Sequence, residues 1–188
     1  MKKTMLRIVS VMLCLGMTLF SIMACDMFGD KEKEKKIEKS EIPSNVLYEF
    51  SAIQNMVIEN SEELADETET FVKMYTEMHV LQHWDENLNK FEKLDSLLCK
   101  DGTITFTNYY GKGSPSFING GRIYPDYDQS LHTLGTYSGT DVTIDKSAEE
   151  NEFYTDAYLT GDTFIICVEE VDSEGVIIKY EIVFKPVQ

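Results

Sequence analysis

Two different spacings of apolar residues divide this chain. Between Glu41 and Asp101 apolar side chains recur every three or four positions. They are Val46, Leu47, Phe50, Ile53, Val57 and Ile58, then Phe71, Met74, Met78, Leu81, Leu88, Phe91, Leu94 and Leu97 or Leu98. That is the period of an amphipathic helix. Pro43-Ser44 opens the first run as a helix start, and Asn60 followed by Glu63 has the spacing of a capping box. Asp101-Gly102 supplies a stop, because glycine takes the left-handed cap position without penalty. The expectation is an α-hairpin over 41–101, or one long bent helix.

From Thr103 the period falls to two. Thr103 to Thr107 alternates as a strand, and Gly111 to Gly121 reads as a glycine-rich loop with a short strand near Phe117-Ile118. Further strands are expected at Arg122–Tyr124, Leu131–Tyr137, Asp141–Asp145 and Phe153–Leu159. The last hairpin fixes its own register. If Ser173-Glu174-Gly175 is a three-residue loop with Gly175 left-handed, Val168 pairs with Tyr180, Ile166 with Ile182 and Phe164 with Phe184. Glu169 then meets Lys179, and Cys167 meets Glu181. A shift of one residue would exchange the two faces, so the apolar pattern selects this pairing. Helices followed by strands imply an α+β fold, with the α-hairpin (41–101) laid on an antiparallel sheet of about six strands over 102–188, a sheet that could be strongly curved.

The N-terminus follows a different pattern. Lys2, Lys3 and Arg7 precede an apolar run from Ile8 to Ile22, too short for a membrane-spanning helix of about 20 residues. Ile22-Met23-Ala24-Cys25 follows. This stretch resembles the signal peptide and lipobox of bacterial lipoproteins. The resemblance covers residues 1–25 alone and implies cleavage before Cys25, with diacylglycerol and palmitate-type acyl chains on Cys25. It makes the protein a membrane-anchored component of the bacterial cell envelope. An ordinary signal peptide with a cysteine near its end is the plain alternative.

Residues 26–40 carry five lysines and five acidic residues and almost nothing apolar, so they read as a charged tether. The domain over 41–188 holds nine Lys and Arg against twenty-eight Asp and Glu, a net charge of −19. Such a surface disfavours nucleic acid and direct contact with anionic lipid. Cys99 and Cys167 are the cysteines left in the domain, either bridged in an oxidising compartment or separate as buried thiols.

Candidate chemistry is sparse. His79 and His83, four apart, would share a helix face and offer two zinc ligands, but no glutamate follows His79 as a zinc hydrolase needs. Glu170 to Glu181 has the acid spacing of a calcium loop, yet strands flank it and glutamate is long for positions 1 and 5. Asp126 and Asp128 form a further acidic pair. No nucleophile motif, phosphate loop or cofactor signature occurs. Aromatics cluster in and beside the glycine-rich loop, with Tyr109, Phe117 and Tyr124 the candidate ligand contacts. The expected function is therefore non-enzymatic: a lipid-anchored module that binds an envelope protein or a small ligand. A cation-dependent ligand-binding module or hydrolase, and a structural subunit docking through its α-hairpin, are the alternatives.

Overall fold

The computed structural model describes residues 37–84, 90–118 and 121–187. It is mostly β, 62% strand and 12% helix, and the expected α-hairpin is absent. The elements in order are β1 (Val46–Glu59), α1 (Glu62–Ala65), α2 (Thr68–Met78), β2 (Val80–Trp84), β3 (Lys90–Leu94) and β4 (Ser96–Lys100). Then come β5 (Thr103–Lys112), β6 (Ser116–Ile118), β7 (Gly121–Ile123), β8 (Asp126–Ser138) and β9 (Asp141–Ile144). A 3-10 turn at Glu149–Asn151 precedes β10 (Tyr154–Thr160), β11 (Thr163–Val171) and β12 (Ile177–Pro186).

The α+β expectation fails first at β1. Two irregularities interrupt its ladder with β12, between Phe50 and Ala52 and between Gln54 and Val57. Each bulge adds a residue, so the inward positions fall at Tyr48, Phe50, Ile53 and Ile58. A bulged strand thus reproduces helical spacing. The second run is helical only as far as Met78. Beyond it Leu81, Phe91, Leu94 and Leu97 belong to three short strands, and Leu88 lies outside the described residues. Asp101-Gly102 caps no helix. Both residues have positive φ, 50° and 79°, and they form the two-residue turn between Lys100 and Thr103.

Eight strands form one antiparallel sheet in the order β10-β11-β12-β1-β4-β5-β8-β9. It curls until the two edge strands, β9 and β10, touch and the sheet is nearly closed. The β11–β12 register is the one the apolar pattern selects, Val168–Tyr180 through Phe164–Phe184. Gly175 takes φ 81°, and Asp172 and Val176 close the loop by a backbone bond.

The concave face is the core. Tyr48, Leu97, Cys99, Ile104, Phe106, Leu134, Phe164, Ile166, Ile182 and Phe184 are each 2% exposed or less. Phe184 meets Phe106 edge-on at 5.6 Å and Phe50 at 6.3 Å. Where β9 crosses β8, Gly135 is needed: a Cβ there would sit 2.1 Å from the Thr143 carbonyl oxygen.

The seam between β9 and β10 is closed by the chain entering the domain. Ser40 N–H donates to the Leu159 carbonyl at 2.7 Å, and Ile42 N–H to that of Gly139 at 3.0 Å. Gly161 N–H donates to Ser40 Oγ, Lys39 pairs with Asp156 at 3.6 Å, and Ile42 is buried. Ordered structure therefore begins before residue 41. The turns at 101–102, 139–140 and 161–162 share this end. The hairpins β2–β3 and β6–β7 lie at the other end, about 30 Å away along the ten residues of β5.

Candidate functional site

At the far end the sheet divides. β4 stops at Ser96 while β5 runs on to Lys112, so Tyr109 N–H loses its strand partner. The side chain of Asp95 takes its place, accepting from Tyr109 N–H at 3.0 Å and from Asn108 Nδ2 at 2.8 Å. His79 Nδ1, at the C-terminal cap of α2, lies 2.8 Å from Asp95 Oδ2, where an N–H satisfies the carboxylate. The backbone of Asp95 accepts from Phe50 N–H and donates to the His79 carbonyl. Asp95 is 2% exposed, and a buried carboxylate needs such a set of donors.

A second carboxylate holds the other side of α2. Glu170, inward on β11, accepts hydrogen bonds from the Tyr75 and Tyr180 hydroxyls, each at 2.8 Å. The two rings meet edge-on at 4.7 Å. Burial, then the Glu170 charge, pushes both phenols well above the ordinary tyrosine value. The Asp95–His79 pair has the composition of an acid-base couple, but its bonds are spent on structure. His79 stacks on Phe50 at 4.9 Å, and among the described residues no hydroxyl or thiol bonds to it. These groups fasten α2 to both arms of the split sheet.

The predicted metal ligands are dispersed. His79 belongs to Asp95, while His83 on β2 packs against Tyr127 at 4.7 Å and Phe91 at 5.8 Å. His79 and His83 share no helix face, because the helix has ended between them. Asp126 accepts from Tyr127 N–H, and Asp128 pairs with Lys112 at 3.1 Å. In the calcium-like segment Glu170 turns inward while Asp172 accepts from the Glu174 and Val176 N–H groups of its own loop. No group of three or more His, Cys, Asp or Glu side chains among the described residues is placed to hold a metal ion.

Cys99 and Cys167 are free thiols on opposite faces of the sheet, Cys99 in the core and Cys167 outside between Asp156 and Glu181. Burial raises Cys99 to about 12. Burial and the neighbouring Glu181 and Asp156 raise Cys167 to about 11. Neither thiol ionises near neutral pH, so neither is an activated nucleophile. Cys25 lies outside the described residues.

The three aromatic contact candidates do gather at the split end, in different settings. Tyr109 packs edge-on against Tyr127 at 5.8 Å, and Lys93 lies over the Tyr127 ring at 5.3 Å. Tyr124 fills the space above Gly111, where a Cβ would come within 2.3 Å of its ring. Its backbone pairs with β2: Tyr124 N–H donates to the Gln82 carbonyl, and Trp84 N–H to that of Tyr124. These two tyrosines join the hairpins to the sheet. Phe117, on β6 opposite Arg122, is 71% exposed. Ile118, Phe91 and Tyr110 are also exposed at this end. Phe91 escaped the sequence reading because a helical period gave it to a core stripe.

Charge follows the same division. Segments 80–94 and 111–128 together hold four basic and five acidic residues, whereas the rest of 41–188 holds five against twenty-three. The hairpin end is nearly neutral on an otherwise strongly acidic domain.

No family model, no curated protein and no solved structure matches the chain. The reading of function therefore rests on the geometry.

Proposed function

We propose that the protein is a lipid-anchored, non-enzymatic binding module of the bacterial cell envelope, and that it engages a protein partner through the β2–β3 and β6–β7 hairpins. One observation carries the reading. The end with exposed Phe91, Tyr110, Phe117 and Ile118 is nearly free of net charge and lies opposite the end where the chain from Cys25 enters. Protein interfaces are depleted of charge at their centres and enriched in aromatics and arginine, which this end supplies with Arg122. The remaining surface, with a net charge of −18, repels an anionic membrane and leaves the hairpins as the face turned outward. Acylation of Cys25 supplies the anchor, at about 0.8 kcal/mol per buried methylene.

The test compares the full lipoprotein with a Phe91→Ala, Phe117→Ala double variant in the native cells. The expected result is one dominant copurifying protein, reduced at least tenfold by the double variant, with the amount and melting of the lipoprotein unchanged. Equal recovery with both would contradict the assignment of the hairpins. Retention of labelled palmitate after Cys25→Ser would contradict the anchor.

A further inference from the structure

We infer that the free edge of β8 between Tyr127 and Leu131 is a strand-addition site for an extended protein segment that alternates basic and apolar residues. β8 is paired with β5 from Asp126 to Thr136 but with β9 only from Gly135 to Ser138. Among the described residues no backbone pairs with the other edge between Asp126 and His132. Because Asp95 takes the Tyr109 N–H, Tyr109 turns away from β8. In an antiparallel ladder its opposite residue, Gln129, then directs N–H and C=O to the far side, and so does Leu131 two residues on. The open stretch is bounded on both sides. Asn151 Nδ2 donates to the Thr133 and Leu134 carbonyls below it, and Asp126 takes the Tyr127 N–H above it. The N–H and C=O groups of Gln129 and Leu131 remain for an incoming strand.

The surroundings select the occupant. Alternation places Asp128, Ser130 and His132 on the inner face and Gln129 and Leu131 on the outer. Inside, Glu150 lies close enough to His132 and Tyr110 to act on both, and among the described residues the buried His132 Nε2 has no hydrogen-bond partner. Outside, Leu131 is 59% exposed. A strand laid along this edge sets every second side chain beside Asp128, which Lys112 already meets from the β5 side, and toward Glu150, where a cation fits. Its other side chains lie beside Leu131, where an apolar group fits. A second copy of this chain does not meet that requirement. Edge-to-edge pairing would bring together two domains of charge −19, each with Asp126 and Asp128 beside the edge. The acidic residues protect the edge from self-pairing while leaving it open to a cationic strand. This site is separate from Phe117 and does not depend on the hairpin reading.

The test uses the full chain in detergent micelles and a blocked ten-residue peptide of alternating lysine and valine, followed by NMR titration and amide exchange. The Gln129 and Leu131 amides should exchange fast in the free protein and at least tenfold more slowly with peptide. Methylating alternate peptide nitrogens should abolish the protection, because it removes the donors and leaves the charge. Gln129→Pro should melt like the unaltered protein, since this N–H takes no part in the β5 ladder, and should bind at least tenfold more weakly. If that variant fails to fold, the methylated peptide answers the same question. Slow exchange of both amides in the free protein, equal binding of the methylated peptide, or no binding of the plain peptide would each overturn the proposal.

Discussion

The two ends of the sheet are built from the same strands and treat their backbone edges in opposite ways. At the entry end every edge is closed. Ser40 and Ile42 bridge β10 and the turn that leads into β9, and tight turns at 101–102, 139–140 and 161–162 finish the strands. At the far end β4 stops short, the sheet splits, and two hairpins project with aromatic side chains in water. One end closes a core. The other holds a surface open, at the cost of placing two carboxylates, Asp95 and Glu170, inside the fold. Asp95 is buried with its oxygens bonded, Glu170 is half-buried between two phenols, and together they fasten α2 between the arms.

Breaking the split should cost most. Asp95→Ala leaves His79, Asn108 and the Tyr109 N–H without their acceptor, and should destabilise the domain by about 4 kcal/mol in a denaturant titration. Breaking the closed end should cost less. Ile42→Ala removes one buried side chain and should cost about 2 kcal/mol, with amide exchange rising first in β9 and β10.

Alkali should act on the phenols. The folded tyrosines Tyr48 and Tyr158 lie at about 12, and Tyr75 and Tyr180 are raised further, against an ordinary 10.0. Above pH 10 the unfolded chain binds fewer protons than the folded one, so the stability these groups contribute is complete below pH 10 and falls as pH rises beyond it. The denaturation midpoint should be lower at pH 11 than at pH 8, and Tyr180→Phe should reduce the difference. The smallest effect belongs to the open surface: Phe117→Ala should change stability by less than about 0.5 kcal/mol.

The last hairpin was legible in the sequence because β11 and β12 pair without interruption. Between Thr163 and Lys185 the apolar positions and Gly175 admit one register, the one the structure has. The N-terminal half was misread for physical reasons. Bulges in β1 turned a period of two into steps of three and five, and short strands after Met78 continued the phase of α2 by coincidence. Asp101-Gly102 suits a helix cap and a tight hairpin turn equally well, and only the strands on either side decide between them. Tyr109, Phe117 and Tyr124 lie together at the split end, but composition could not separate exposed Phe117 from two tyrosines used in packing. Asp95 carried no signal, since one aspartate among many acidic residues shows its role only when β4 is seen to end beside it.

The most direct measurement is site-specific photocrosslinking of the lipoprotein in its native cells, with the crosslinker placed at Phe117 or at Leu47. Both residues are exposed, one on the projecting hairpin and one on the flank beside the entry end. A partner captured from position 117 and not from position 47 is the predicted result. Capture from position 47 alone, or equally from both, would contradict the claim that the split end is built to present its hairpins.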